Sequence, residues 1–282
     1  MKVFEDRVAV ITGGASGIGL GMARSFAKRG MKLVIADLDQ AAMSAVEVEF
    51  RAQNVEVVTQ RCDVSKHEEV EALAKTTMDT YGAVHILCNN AGIGIPTPTN
   101  KMKLKDWKWI IDVDLWGPIY GIEAFLPLIE QQEEGHICST SSMAGLIASG
   151  KMGAYNVAKH GVVALMATLE RELRARKSAV TASVLCPGPI NTKISSHSLE
   201  YRPARQDGAS QAPKDPKAGG QNTGDKIQAM LEENGMDPDE VGEIVVDAIE
   251  NDKFWVLTHP RWAKTVGKMV DAMREDQTLT RA

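Results

Sequence analysis

Short apolar runs alternate along the chain with longer stretches in which apolar positions recur every three or four residues. The runs Val8–Thr12, Leu33–Asp37, Val55–Gln60, Val84–Asn89, His136–Thr140, Val180–Cys186 and Phe254–Thr258 read as strands. They are almost continuously apolar, the pattern of strands covered on both faces. Strands separated by helical stretches are βα units. The pattern therefore predicts an α/β protein with one doubly wound, seven-stranded parallel sheet and helices on both faces.

Two helical stretches carry broad apolar faces. Leu115, Ile119, Ile122, Leu126 and Ile129 predict one long helix between Leu104 and Ile129, and Val162, Leu165, Met166, Leu169 and Leu173 predict another after Tyr155. The sheet covers one side of each. An apolar remainder is a natural seat for a second copy, so a homo-oligomer, dimer or tetramer, is expected, although core packing alone produces the same pattern. From Ser195 to Asp225 the composition turns to Ser, Pro, Gly, Gln and Asp without a sustained period. This stretch reads as a loop serving as a substrate lid, with Ile194, Leu199 and Tyr201 as its apolar lining. Asp237-Pro238-Asp239-Glu240 then announces a capped helix with Val241, Ile244, Val245, Ala248 and Ile249 on its inner face. Trp262, Val266, Met269 and Met273 predict an amphipathic helix near the end. No repeat or linker divides residues 1–282, which are expected to form a single domain.

Between the first strand and first helix lies Thr12-Gly13-Gly14-Ala15-Ser16-Gly17-Ile18-Gly19. A glycine-rich turn there leaves backbone N–H groups and the positive end of a helix facing one point, with no Cβ in the way. An anionic diphosphate suits it, and a dinucleotide is the first ligand to suspect.

Composition narrows the alternatives. A net charge of −5 with no clustered Lys or Arg argues against a nucleic-acid partner. The charged start, Lys2 to Arg7, and the lack of any run of bilayer length predict no membrane association and a cytoplasmic protein. Cys62, Cys88, Cys138 and Cys186 lie far apart on strand-like runs and are expected as core thiols, and neither they nor the histidines have metal-ligand spacing, so no metal is expected.

Asp37 ends the second strand. In a dinucleotide fold a carboxylate at that place accepts hydrogen bonds from the adenosine ribose and repels a 2′-phosphate. With Ser16 where a cation for that phosphate is expected, NAD is favoured over NADP. A cap for the next helix is the other reading of Asp37, since Asp39 follows. Tyr155 and Lys159, four apart on a helix, share a face. A nearby cation lowers a phenol's pKa, so Lys159 is expected to make Tyr155 a usable acid or base. Ser142, at the end of the fifth strand, is placed to hold the oxygen of a carbonyl or alcohol.

The full set reads T-G-x-x-x-G-x-G at Thr12, Gly13, Gly17 and Gly19, N-N-A-G at Asn89 to Gly92, Ser142, Y-x-x-x-K at Tyr155 and Lys159, and P-G-x-x-x-T at Pro187, Gly188 and Thr192. In this order and spacing the chain resembles the short-chain dehydrogenase/reductase family, in its single-domain branch, over nearly its whole length. The resemblance implies a Rossmann-type fold and a nicotinamide cofactor. It implies that Asp37 binds ribose, that Asp63 and Val64 flank the adenine, that Asn90 lines the cofactor groove and that Ile190 and Thr192 meet the nicotinamide carboxamide. Gly13, Ser16, Gly17, Ile18, Gly19, Gly92, Pro187 and Gly188 complete the expected cofactor-binding set, with Tyr155 and Lys159 shared between cofactor and chemistry. The activity implied is hydride transfer between NAD(H) and a secondary alcohol or ketone. Tyr155 exchanges the proton, Ser142 holds the substrate oxygen and Lys159 tunes the tyrosine. An NAD-binding sensor or scaffold of the same fold is the alternative. One position departs from the family pattern: Val113-Asp114-Leu115 carries aspartate where asparagine is usual, and an ionised aspartate accepts hydrogen bonds but does not donate them.

Overall fold

The computed structural model describes residues 1–202 and 223–275. In chain order the main elements are β1 (Val8–Thr12), α1 (Gly17–Ala27), β2 (Lys32–Asp37), α2 (Gln40–Ala52), β3 (Val57–Arg61), α3 (His67–Tyr81) and β4 (Ile86–Asn89). They continue with α4 (Leu104–Ile111), α5 (Gly117–Ile129), β5 (Gly135–Thr140), α6 (Gly153–Ala175), β6 (Val180–Cys186) and α7 (Ile194–Glu200). After the undescribed residues come α8 (Thr223–Asn234), α9 (Pro238–Glu250), β7 (Trp255–Leu257) and α10 (Ala263–Glu275).

The strands form one sheet in the order β3-β2-β1-β4-β5-β6-β7, every pairing parallel. Successive residues of a strand serve opposite faces. Ala9, Ile11, Leu33 and Ile35 join Phe26, Phe50 and Val241 in one core, whereas Val8, Val10, Val34 and Ala36 join Leu73, Phe125 and Met166 in the other. Two covered faces are the reason the strands read as unbroken apolar runs. Strand order reverses between β1 and β4, and a crevice opens beyond the carboxyl ends of the strands at that switch point. All four cysteines are buried and free.

Two expectations change. The stretch 104–129 is not one helix. A π turn, Asp112–Trp116, separates α4 from α5, with the Gly117 N–H reaching back to the Asp112 carbonyl. Pro118 has no N–H to give to the Asp114 carbonyl, so the α-helical ladder cannot run through this point. The expected structureless lid at 195–225 is helical at both ends, in α7 and in the start of α8, and its middle, residues 203–222, lies outside the described residues. The expected cap of α9 is present: Asp237 accepts the Asp239 N–H at 2.8 Å. The terminal amphipathic helix α10 forms, with none of its residues buried.

Candidate functional site

A cavity of about 740 Å³ occupies the crevice. Its floor is the glycine turn. Gly13 and Gly17 have φ of +61° and +50°, a left-handed backbone that side chains with a Cβ adopt only under strain. Gly13, Ser16, Gly17 and Ile18 line the cavity, and the start of α1 points into it. Gly19 does not line it, contrary to expectation. A Cβ on Gly19 would lie 2.1 Å from the Gly13 carbonyl oxygen, so its part is to let α1 close against the turn.

The adjoining wall is braced by short hydrogen bonds. Asp37 accepts the Ala15 N–H at 3.1 Å on one oxygen, and those of Leu38 at 2.7 Å and Asp39 at 3.2 Å on the other. Its carboxylate is thereby fixed at the cavity edge. The capping of α2 falls to Asp39, which accepts from Ala42 at 2.9 Å. Asn90 donates to the Thr12 and Gly13 carbonyls at 3.1 and 3.2 Å and ties the end of β4 to the turn. Asp63 accepts from the Ser65 backbone and hydroxyl at 3.0 and 2.7 Å, shaping the turn that brings Asp63 and Val64 to the cavity. Gly92, Pro187, Gly188, Ile190 and Thr192 also line it. Gly188 is held by its N–H on Thr258 Oγ1 at 3.0 Å.

The opposite wall is made by α6 and the end of β5. Ser142, Tyr155 and Lys159 all face the cavity. Ser142 Oγ accepts the Ala144 N–H at 3.1 Å, and both Ser142 and Tyr155 line the cavity. Lys159 Nζ donates to the Thr140 carbonyl at 3.1 Å and stands 5.5 Å from the centre of the Tyr155 ring. Ser141 Oγ donates to the Lys159 carbonyl at 2.8 Å, so side-chain and backbone bonds together pin α6 to β5. Tyr155 is half-buried in the cavity wall. Burial therefore pushes its phenol above the usual tyrosine value. Lys159 and Ser142 act downward, as expected of the lysine, but burial outweighs them, and Asp114 adds to the rise. The expected net lowering is thus reversed in the protein alone.

Asp114, on the π turn, is completely buried. It accepts the Ile93 N–H at 2.8 Å and lies 3.7 Å from Lys159 Nζ. Burial raises its carboxyl pKa to about 6, against the opposing pull of Lys159 and the Ile93 N–H.

Two of the three residues expected to line the lid, Ile194 and Tyr201, do reach the cavity. Helix α7 lies over the cavity with Ile194, His197 and Tyr201 in its lining, whereas Leu199 is exposed. Burial and the carboxylates Asp39, Glu200 and Asp37 raise the Tyr201 phenol pKa. Arg202 grips the buried Asp106 of α4 through two bonds, 2.9 and 2.6 Å. Ser198 Oγ accepts the Gly94 N–H at 2.9 Å. The segment 194–202 is thus tied to Gly94 and to α4 while lining the cavity. Trp107 packs at Gly153 and Trp116 stacks on Tyr120, whereas Trp109 stands in the cavity wall.

A switch-point crevice, a left-handed glycine turn at a helix start and a tyrosine–lysine pair opposite define a Rossmann-type, nucleotide-dependent oxidoreductase. The model of the short chain dehydrogenases matches residues 7–202, and the chain belongs to that family. A dehydrogenase/reductase of CLA biosynthesis from Lactiplantibacillus plantarum is 30% identical over 265 residues, covering 93% of this chain and 91% of the relative. A short chain dehydrogenase/reductase from Burkholderia phymatum, solved in complex with NAD, superposes with a TM-score of 0.92 at 34% identity, over 100% of this chain and 99% of that one. An alcohol dehydrogenase from the archaeon Thermococcus sibiricus, complexed with 5-hydroxy-NADP, has a TM-score of 0.70 at 27% identity and covers 87% and 91%. The substrate is accordingly a small molecule. No helix among the described residues is long and apolar enough to cross a membrane.

Proposed function

We propose that the protein transfers hydride between NAD(H) and a secondary alcohol or its ketone, with Tyr155 as the acid–base group. The observation that carries this reading is the meeting, across one cavity, of Ser142, Tyr155 and Lys159 with the glycine turn and the Asp37 carboxylate. The turn fits a diphosphate, since it offers backbone N–H groups at the start of α1 with no Cβ over them. Asp37 supports NAD over NADP, because a fixed carboxylate accepts from ribose hydroxyls and repels a 2′-phosphate. Arg61, which neighbours Asp37 in the sheet, is engaged by Glu69 at 3.2 Å.

The cofactor, when bound, supplies the carbon that gives or takes hydride. The protein's own part is proton handling and orientation. In carbonyl reduction the Ser142 hydroxyl holds the substrate oxygen while Tyr155 gives that oxygen its phenolic proton. In alcohol oxidation the phenolate takes the alcohol proton, and the Lys159 ammonium stabilises the phenolate. Asp63, Val64, Asn90, Ile190 and Thr192 are assigned to the cofactor, and α7 with the segment beyond it to covering the cleft. The outer face bearing Leu104, Trp116 and Val157, all exposed, is assigned to a second copy of the chain, which a light-scattering mass tests.

The enzymatic reading is tested by incubating the protein with NAD, and separately NADP, and a panel of secondary alcohols and ketones. A change in reduced-nicotinamide absorbance with NAD is expected. Coenzyme binding without turnover on any member points instead to a sensor.

A further inference from the structure

Asp114 is an expensive residue to bury. One carboxylate oxygen is satisfied by Ile93, but Oδ2 has no hydrogen-bond partner and faces Lys159 Nζ at 3.7 Å, beyond hydrogen-bond length. A buried carboxylate left half-satisfied destabilises a fold, and an amide or an apolar side chain at this point avoids the cost. The ammonium it faces is equally constrained. Lys159 is 2% exposed, is tied to the Thr140 carbonyl, and stands beside the Tyr155 ring. One cation therefore serves two acids. Gly92 leaves room beside the pair: a Cβ there would lie 3.2 Å from Lys159 Nζ and 3.5 Å from Asp114 Oδ1.

We propose that Asp114 is a positioning residue of the acid–base pair, whose carboxylate competes with the Tyr155 phenolate for the single Lys159 ammonium. Tyr155 then holds its proton more tightly than the lysine alone allows, and the site is set toward proton donation to a carbonyl. The groups facing Asp114 are few. Tyr155 and Lys159 come from α6, the Ile93 N–H from the segment after β4, and the Thr140 carbonyl reaches it only through Lys159. Asp114 ionises near pH 6 and Tyr155 above the usual tyrosine value, so Asp114 is already charged wherever Tyr155 begins to lose its proton.

The inference rests on Tyr155 being the acid–base group, and the test is chosen to keep the two apart. Tyrosinate absorbance is titrated in the unliganded protein. Subtracting the same titration of Tyr155→Phe removes the other three of the four tyrosines and leaves Tyr155. The pair is then repeated in an Asp114→Asn background. Asparagine keeps the Oδ1 acceptor for Ile93, removes the charge and puts an amide NH2 in the place of Oδ2. The Tyr155 midpoint is expected to fall by about one pH unit in the Asn background, the scale of a lost like-charge neighbour. A midpoint that stays or rises overturns the proposal. A purely structural Asp114 shifts the melting temperature and leaves the midpoint in place. If Asp114→Asn does not fold, Asp114→Ser carries the same expectation. If Tyr155 proves dispensable for turnover, the functional reading fails while this titration still reports the competition.

Discussion

The two walls of the crevice are built on different physical principles. The glycine-turn wall is backbone: left-handed residues at Gly13 and Gly17, a helix start, and carboxylates whose oxygens are met by N–H groups close by in sequence. Its anion-facing charge is that of backbone N–H groups and a helix start. The α6 wall is built from ionisable side chains, where Lys159 and Asp114 act in opposite directions on the Tyr155 phenol and Lys159 opposes the burial of the Asp114 carboxyl. A wall of the first kind holds a diphosphate at any ordinary pH. A wall of the second kind is suited to proton exchange, and here α6 is tied to the end of β5 by Ser141 and Lys159.

Substitutions at the glycine-turn wall should act first on coenzyme affinity. Gly19→Ala drives a Cβ to 2.1 Å from a backbone oxygen that cannot swing aside, and coenzyme affinity should fall on the order of 100-fold. Calorimetry measures this, and retention of affinity separates Gly19 from the turn's geometry. Asp37→Ala removes the carboxylate but also a brace of the turn. The preference for NAD over NADP should narrow about tenfold, read from the two dissociation constants. Arg202→Met frees the buried Asp106 carboxylate while its own site stays partly exposed. A loss of about 1 kcal/mol in stability is expected, with severalfold weaker coenzyme binding if the segment 194–202 covers the cleft. An unchanged dissociation constant removes that segment from the cofactor's cover.

The same contrast decides what was legible in the sequence. The strands and the glycine turn are local: periodicity, glycines and the Asp37 terminus carry them within one βα unit, and the sheet differs from expectation only by a residue or two at strand ends. Ser142, Tyr155 and Lys159 were legible as a spacing, and the fold brings them to one wall. Their net electrostatics was not, because burial, the term that raises Tyr155, exists only after folding. The π turn hid for a related reason. Apolar positions on both sides of Pro118 keep a helical period, while the missing N–H shifts the ladder and buries Asp114. Gly19 sits in the motif that reads as cofactor contact, and only the Gly13 carbonyl behind it shows that it serves packing. The Arg202–Asp106 grip joins residues far apart in sequence, each of which reads locally as an ordinary surface charge.

The most direct measurement is Tyr155→Phe, assayed for coenzyme binding and turnover on the same preparation. The phenyl ring keeps the packing and removes only the exchangeable proton. Coenzyme affinity within about threefold of wild type, with kcat lower by about 10³-fold, is the outcome expected of an acid–base tyrosine. Turnover at nearly the wild-type rate contradicts it.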